Sequence, residues 1–233
     1  MYSFDSKIRY SEIGKDKKLT IGALVDYFQD CSTFHSEEVG LGFEYLEKEK
    51  KAWLLSSWQI DILRFPEFGE TIKCATWAYD FKNFYGYRNF AIIDQTGEYI
   101  VKANSIWFFM DLVAGRPVKI DESQLKGYVR EPMLDMEYLP RKLKTEGEFI
   151  KQDRFLVKKS NIDTNNHVNN GQYVKMAADY LPDDFKIKRM RAEYKKAALL
   201  GDAIVPAIAN NDNEFIVSLC DEEEKPYAVV KFE

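Results

Sequence analysis

The stretch from Asn161 to Val174 holds one of only two histidines, His167, together with the carboxylate of Asp163 and the amides of Asn161, Asn165, Asn166, Asn169 and Asn170. Asp163, Asn165 and His167 occupy alternate positions, so an extended backbone would point all three to one side. An acid, an amide and an imidazole on one face suit acyl chemistry. A neutral imidazole accepts a proton from water or polarises a carbonyl. A carboxylate fixes the ring's tautomer and orientation, and an amide binds a carbonyl oxygen or holds a water.

These side chains need a support. Tyr173, Met176, Ala177, Tyr180 and Leu181 recur at helical spacing and Pro182 ends the run, so a helix follows the stretch directly, with Asn169 or Asn170 as its cap. The free amides of its first turn and the positive end of its dipole would favour a developing oxyanion beside the trio. Asn-rich runs are also ordinary turn and capping material. Spacing alone favours that plainer reading.

The 233 residues suffice for one large domain or two small ones. A hydrophobic share of 45% and a charged share of 30% fit a globular chain and exclude a disordered one. No apolar run approaches the roughly 20 residues of a membrane span. The start, Met1 to Tyr10, lacks a signal core or a transit segment, so a cytoplasmic protein is expected. Cys31, Cys74 and Cys220 are few, scattered and odd in number, fitting reduced core positions better than a disulfide framework or a zinc site. A net charge of -5 disfavours nucleic acid as a partner. Basic clusters at 15–18, 48–51, 141–144, 186–191 and 195–196 are most simply solvated surface.

The chain follows one plan twice. A strand is expected over Ser3 to Tyr10, then a helix capped by Thr20 that buries Ile21, Leu24, Val25, Phe28 and Cys31 and ends near Gly40. His35, near that helix's end, reads as a side chain favourable to its dipole. Strands follow at Ala52 to Phe65, Thr71 to Phe81, Tyr85 to Asp94 and Tyr99 to Met110, with a hairpin turn at Asp94 to Gly97. Residues 111–145 have little periodicity and read as a surface connector. The second half gives a strand at Gly147 to Lys158, the helix after the Asn-rich stretch, and strands at Ile187 to Ala197, Ala203 to Ala209, Glu214 to Asp221 and Ala228 to Phe232. Asp61 precedes Gly69-Glu70 by the interval that separates Glu193 from Gly201-Asp202.

Asp163-Thr-Asn165-Asn-His167-Val-Asn169-Asn170, followed by Tyr173, closely resembles the Asp-x-Asn-x-His-Val-Asn-Asn signature of the acyl-acyl carrier protein thioesterases of plants and bacteria. The likeness covers nearly the whole chain. It implies an α+β double hotdog, two tandem copies of a long helix wrapped by an antiparallel sheet: residues 1–115 on the acyl-chain side, a connector at 116–145 and residues 146–233 on the catalytic side. The implied reaction is hydrolysis of a fatty acyl thioester on the phosphopantetheine arm of acyl carrier protein, with no metal or cofactor. His167 would activate water and polarise the carbonyl, Asn165 would position the carbonyl or water, and Asp163 would hold that arrangement. Leu24, Val25 and Phe28 would line the acyl tunnel, although such a stripe is more often plain core.

The carrier would dock on a basic cluster, with Lys186 to Lys196 the best candidate. Assembly stays open between a single chain and a homodimer. One departure stands out. Relatives carry Glu, and the plant enzymes then Cys, where this chain has Ala197 and Ala198 in Glu193-Tyr194-Lys195-Lys196-Ala197-Ala198. That loss points to a mechanism resting on His, Asn and Asp, or to weakened activity. The alternatives are an acyl-CoA thioesterase of hotdog type, a hotdog dehydratase, against which the Asp-x-Asn-x-His spacing argues, and a hotdog protein that binds acyl chains without cleaving them.

Overall fold

Thr20 starts the first long helix of the computed structural model, which describes residues 1–211 and 213–233. Its hydroxyl accepts the Ala23 N–H at 3.2 Å, satisfying one of the donors that a helix start leaves open. The helix, α1 (Ile21–Glu38), ends just before Gly40, whose φ of +72° suits glycine. Leu24, Val25, Phe28 and Cys31 have no exposed surface, so the expected apolar face is indeed core.

Contacts divide the chain into two compact units, Met1–Ser56 with Ile60–Tyr138, and Ser57–Gln59 with Leu139–Glu233. The first unit contains α1, a short α2 (Phe43–Glu49) and strands β1 (Tyr2–Lys7), β2 (Lys51–Ile62), β3 (Thr71–Lys82), β4 (Tyr85–Ile93), β5 (Tyr99–Asp111) and β6 (Arg116–Pro117). The sheet order is β1-β3-β4-β5-β2, with β1 on β3, β3 on β4 and β4 on β5 all antiparallel. α1 lies on β1 and β3, and Phe28 meets Phe90 with ring centroids 5.1 Å apart. At the expected hairpin, Asp94 Oδ1 accepts the Thr96 and Glu98 N–H groups, and Gly97 takes a φ of +87°. The first strand stops at Lys7 instead of Tyr10, because the chain bends into a 3-10 turn at Tyr10–Glu12 that Glu12 closes by accepting the Arg9 N–H. α2 was not foreseen; it is too short for its periodicity to stand out.

The second unit contains β7 (Ile150–Lys151), β8 (Phe155–Leu156), α3 (Asn170–Ala178), β9 (Arg189–Tyr194), β10 (Ala203–Asn210), β11 (Phe215–Cys220) and β12 (Pro226–Phe232). Its order is β9-β12-β11-β10-β7, with β8 also on β10. α3 packs on β11 and β12. The single strand expected over Gly147 to Lys158 is instead two fragments. Pro206 in β10 has no N–H to offer, so opposite it the ladder lapses to one bond, from the Gln152 N–H to the Pro206 carbonyl at 2.8 Å.

The internal repeat recurs in the backbone hydrogen bonds. Ile8 N–H donates to the Glu70 carbonyl and Gly69 N–H to that of Ile8; Val157 N–H donates to Asp202 and Gly201 N–H to Val157. Leu19 N–H reaches the Pro66 carbonyl at 2.9 Å, and Val168 N–H reaches that of Ala198 at 2.9 Å. Each copy is a helix on an antiparallel sheet, the α+β double hotdog that the resemblance implied.

Candidate active site

The backbone between Ile162 and Val168 is not extended. These two residues form a bridge, Asp163 N–H donates to the His167 carbonyl at 2.8 Å, and Asn166 N–H donates to the Asp163 carbonyl at 3.1 Å. The segment is therefore a tight turn, and the premise that alternation along a strand aligns Asp163, Asn165 and His167 is overturned. Asn166 takes a φ of +60°, a region Asn tolerates better than most residues. Asp163 Oδ1 accepts the backbone N–H of Asn165 at 2.8 Å and of His167 at 3.4 Å. The carboxylate thus braces the turn through its backbone. His167 and Asn165 are exposed, and among the described residues neither side chain has a hydrogen-bond partner. Both are left open to a ligand.

The remaining asparagines build the support. Asn169 caps α3 by accepting the Gly171 N–H at 2.8 Å, and its own N–H donates to the Asn161 carbonyl. Asn161 accepts the Lys158 N–H at 2.8 Å and donates from Nδ2 to Gln172 Oε1 at 3.1 Å. The start of α3 therefore follows the turn directly, as expected. Tyr180 and Leu181 fall beyond its end at Ala178.

The first unit supplies an internal control. Ile13 bridges Leu19, Gly14 N–H donates to Lys18, Lys17 N–H donates to Gly14, Lys17 takes a φ of +62°, and Thr20 caps the helix. The same turn there carries Gly14, Asp16 and Lys18 where the second copy carries Asp163, Asn165 and His167. The turn is scaffold in both, and the imidazole belongs to the second alone.

Behind the turn lies the segment after β9. Ala198 is fully buried: its carbonyl accepts the Val168 N–H, and its N–H donates to Tyr173 Oη at 2.8 Å. Burial pushes the Tyr173 phenol up to about 12, so it stays protonated. Tyr194 donates its hydroxyl to the Asn170 carbonyl at 3.0 Å. Sequence reasoning missed these tyrosine links; the available signal for Tyr173 was a hydroxyl on the buried face of α3, and Tyr194 in β9 offered none. Ala197 is exposed. Glu193 is buried and engaged, accepting the Leu143 N–H at 3.1 Å and pairing with Lys195 at 3.0 Å.

Other expected residues fare differently. His35 is no charged helix-end residue. It is buried, Arg88 Nη1 donates to its Nδ1 at 2.8 Å, and burial, the Arg88 charge and the N-terminal charge lower its pKa to about 3. A neutral ring brings no positive charge to the dipole. Among the basic clusters, Lys186 and Lys188 are exposed, while Lys196 pairs with Asp221 and sits 4.5 Å from the Tyr227 ring centre. All three cysteines are buried thiols. Among the described residues there is no group of acidic, His or Cys side chains that could hold a metal, and no helix is long and apolar enough to cross a membrane.

Comparison with known proteins places this geometry in context. The chain is similar to a chloroplastic acyl-[acyl-carrier-protein] hydrolase of Cuphea viscosissima, with 27% identity over 76% of the chain and 46% of the relative. It is also similar to the chloroplastic palmitoyl-acyl carrier protein thioesterase of Gossypium hirsutum, with 26% identity over 84% of the chain and 52% of the relative. The chain spans about half the length of these curated relatives. Among solved structures, an acyl-ACP thioesterase from Bacteroides thetaiotaomicron matches with a TM-score of 0.89 at 24% identity, covering 99% of this chain and 96% of that one. The 12:0-ACP thioesterase of Umbellularia californica matches with a TM-score of 0.85 at 20% identity, covering 100% of this chain and 96% of that one. These structures share the fold. The family models for the N-terminal and C-terminal domains of acyl-ACP thioesterases match residues 1–128 and 144–229. The chain belongs to the acyl-ACP thioesterase family.

Proposed function

We propose that this protein hydrolyses fatty acyl thioesters of acyl carrier protein, releasing free fatty acid and carrier, with His167 and Asn165 as catalytic residues and Asp163 as the residue that shapes their turn. The observation that carries this reading is the open presentation of an imidazole and an amide on a braced turn at the start of α3, in a chain of this family. Asn165 orients the thioester carbonyl or the water. His167 takes a proton from water as its oxygen attacks the carbonyl carbon, and the C–S bond breaks as the imidazolium returns a proton to the departing sulfur. No metal or cofactor enters these steps.

On the same reading, residues 146–233 are the catalytic copy, residues 1–115 face the acyl chain, and 116–145 connect them. Leu24, Val25 and Phe28 have no exposed surface, so they form a tunnel wall only if side chains of the first unit move aside. The exposed Lys186 and Lys188 are the proposed contact for an acidic carrier. The buried thiols fit a reducing compartment, proposed as the cytoplasm.

The test is hydrolysis of acyl carriers of several chain lengths, with acyl-CoA in parallel, by the native protein and by His167→Ala. Loss of at least about a hundredfold in kcat is expected, the range in which general acid-base residues act. Undiminished release of fatty acid by the variant would remove the assignment, and tight acyl binding by the native protein with no product would replace it with a binding role.

A further inference from the structure

We infer that Tyr173 is a positioning residue for His167, acting through the backbone of Ala198; the inference rests on the proposed role of His167. Tyr173 Oη accepts the Ala198 N–H at 2.8 Å, and the carbonyl of the same residue accepts the Val168 N–H at 2.9 Å. Val168 directly follows His167 and closes the turn by bridging Ile162. The phenol holds Ala198 by its N–H, and Ala198 holds the turn by its carbonyl, so the two bonds are linked through the placement of one buried residue's backbone. α3 carries one end of this clamp and His167 stands beside the other.

The first copy shows what the phenol adds. The bond from Leu19 to Pro66 repeats that from Val168 to Ala198. At the position matching Ala198 the first copy has Pro66, which has no N–H, and at the position matching Tyr173 it has Leu24, which has no acceptor. The first copy ties its turn to the same segment by a further bond, from the Phe68 N–H to the Lys17 carbonyl at 2.9 Å, whereas the second has a buried amide with a phenol to receive it. The difference falls in the copy that holds the imidazole. Tyr173 also lies on the buried face of α3, at 2% exposure, so its hydroxyl meets the Ala198 N–H without competition from solvent.

The test compares three variants of the full chain with the native protein. Tyr173→Phe leaves the buried Ala198 N–H without an acceptor. Expected are faster amide exchange at Val168 and Ala198, a kcat at least about tenfold lower, in line with the cost of small displacements at a reacting centre, and a KM within about twofold of native. Tyr173→Leu combined with Ala198→Pro gives the first copy's residues at these two positions, removing the amide together with its acceptor, and should restore slow exchange at Val168 and most of kcat. Native exchange at Val168 in Tyr173→Phe would overturn the clamp. So would a kcat that falls only in proportion to the folded fraction, or a double variant with slow exchange that stays inactive. His167→Ala separates the two readings: if it still hydrolyses substrate, the role of His167 fails, while exchange at Val168 still tests the clamp.

Discussion

Lys17 and Asn166 hold the same left-handed position in two copies of one turn, with φ of +62° and +60°. Each donates its N–H to the carbonyl three residues earlier, Lys17 to Gly14 and Asn166 to Asp163. A β-branched side chain is disfavoured there. Asn166→Val should lower unfolding free energy by about 1–2 kcal/mol, and Asn166→Gly should leave it close to native. Urea unfolding of both variants checks this, and equal stability of the two would contradict it.

Asp163 braces its turn through two backbone N–H groups. Asp163→Ala should cost about 1 kcal/mol, as for loss of a capping acceptor, and lower hydrolysis along with it. Asp163→Asn keeps an acceptor oxygen and should recover the stability. Thermal melts measure that recovery, and no difference between the variants would mean that the brace contributes nothing.

His35 should make the first unit acid-sensitive. Its folded-state pKa of about 3 lies below the value near 6.5 of an unfolded imidazole, chiefly because of burial and then the Arg88 charge. Between those values the unfolded chain binds the extra proton, so this group's contribution is complete above about 6.5 and is lost as pH falls towards 3. His35→Gln should show a shallower decline in stability between pH 6.5 and 4 in parallel denaturation series. Identical slopes would assign the acid sensitivity elsewhere.

Gly127 allows a close approach to the end of α1. It takes a φ of +107°, and an added Cβ would lie 2.9 Å from Val39 Cβ and 3.1 Å from its carbonyl oxygen. Gly127→Ala should destabilise by about 1–3 kcal/mol, the cost of a strained backbone position. It should also disturb the neighbouring Tyr128, whose hydroxyl is 2.8 Å from Ser36 Oγ and whose ring lies 5.3 Å from the Arg88 guanidinium. An unchanged melting temperature would refute this.

The helix at Thr20, the hairpin at Asp94 to Gly97 and the repeat of Asp61 and Gly69 in Glu193 and Gly201 were legible because caps, turns and spacing act locally. The site was legible as a composition and not as a geometry. Asp163, Asn165 and His167 alternate in sequence, but hydrogen bonds from Asp163 to its own neighbours fold them into a turn. His35 was misread because its partner, Arg88, is far away in sequence. The split at Gly147 to Lys158 depends on Pro206, a residue of another strand. The Tyr173 and Ala198 link needed coordinates for the same reason.

That split has a bearing on solubility. β7 and β8 are two residues each, so neither fragment alone offers an incoming chain a run on which to lay down a ladder. A proline that costs the second unit a regular strand also protects that edge from templated aggregation.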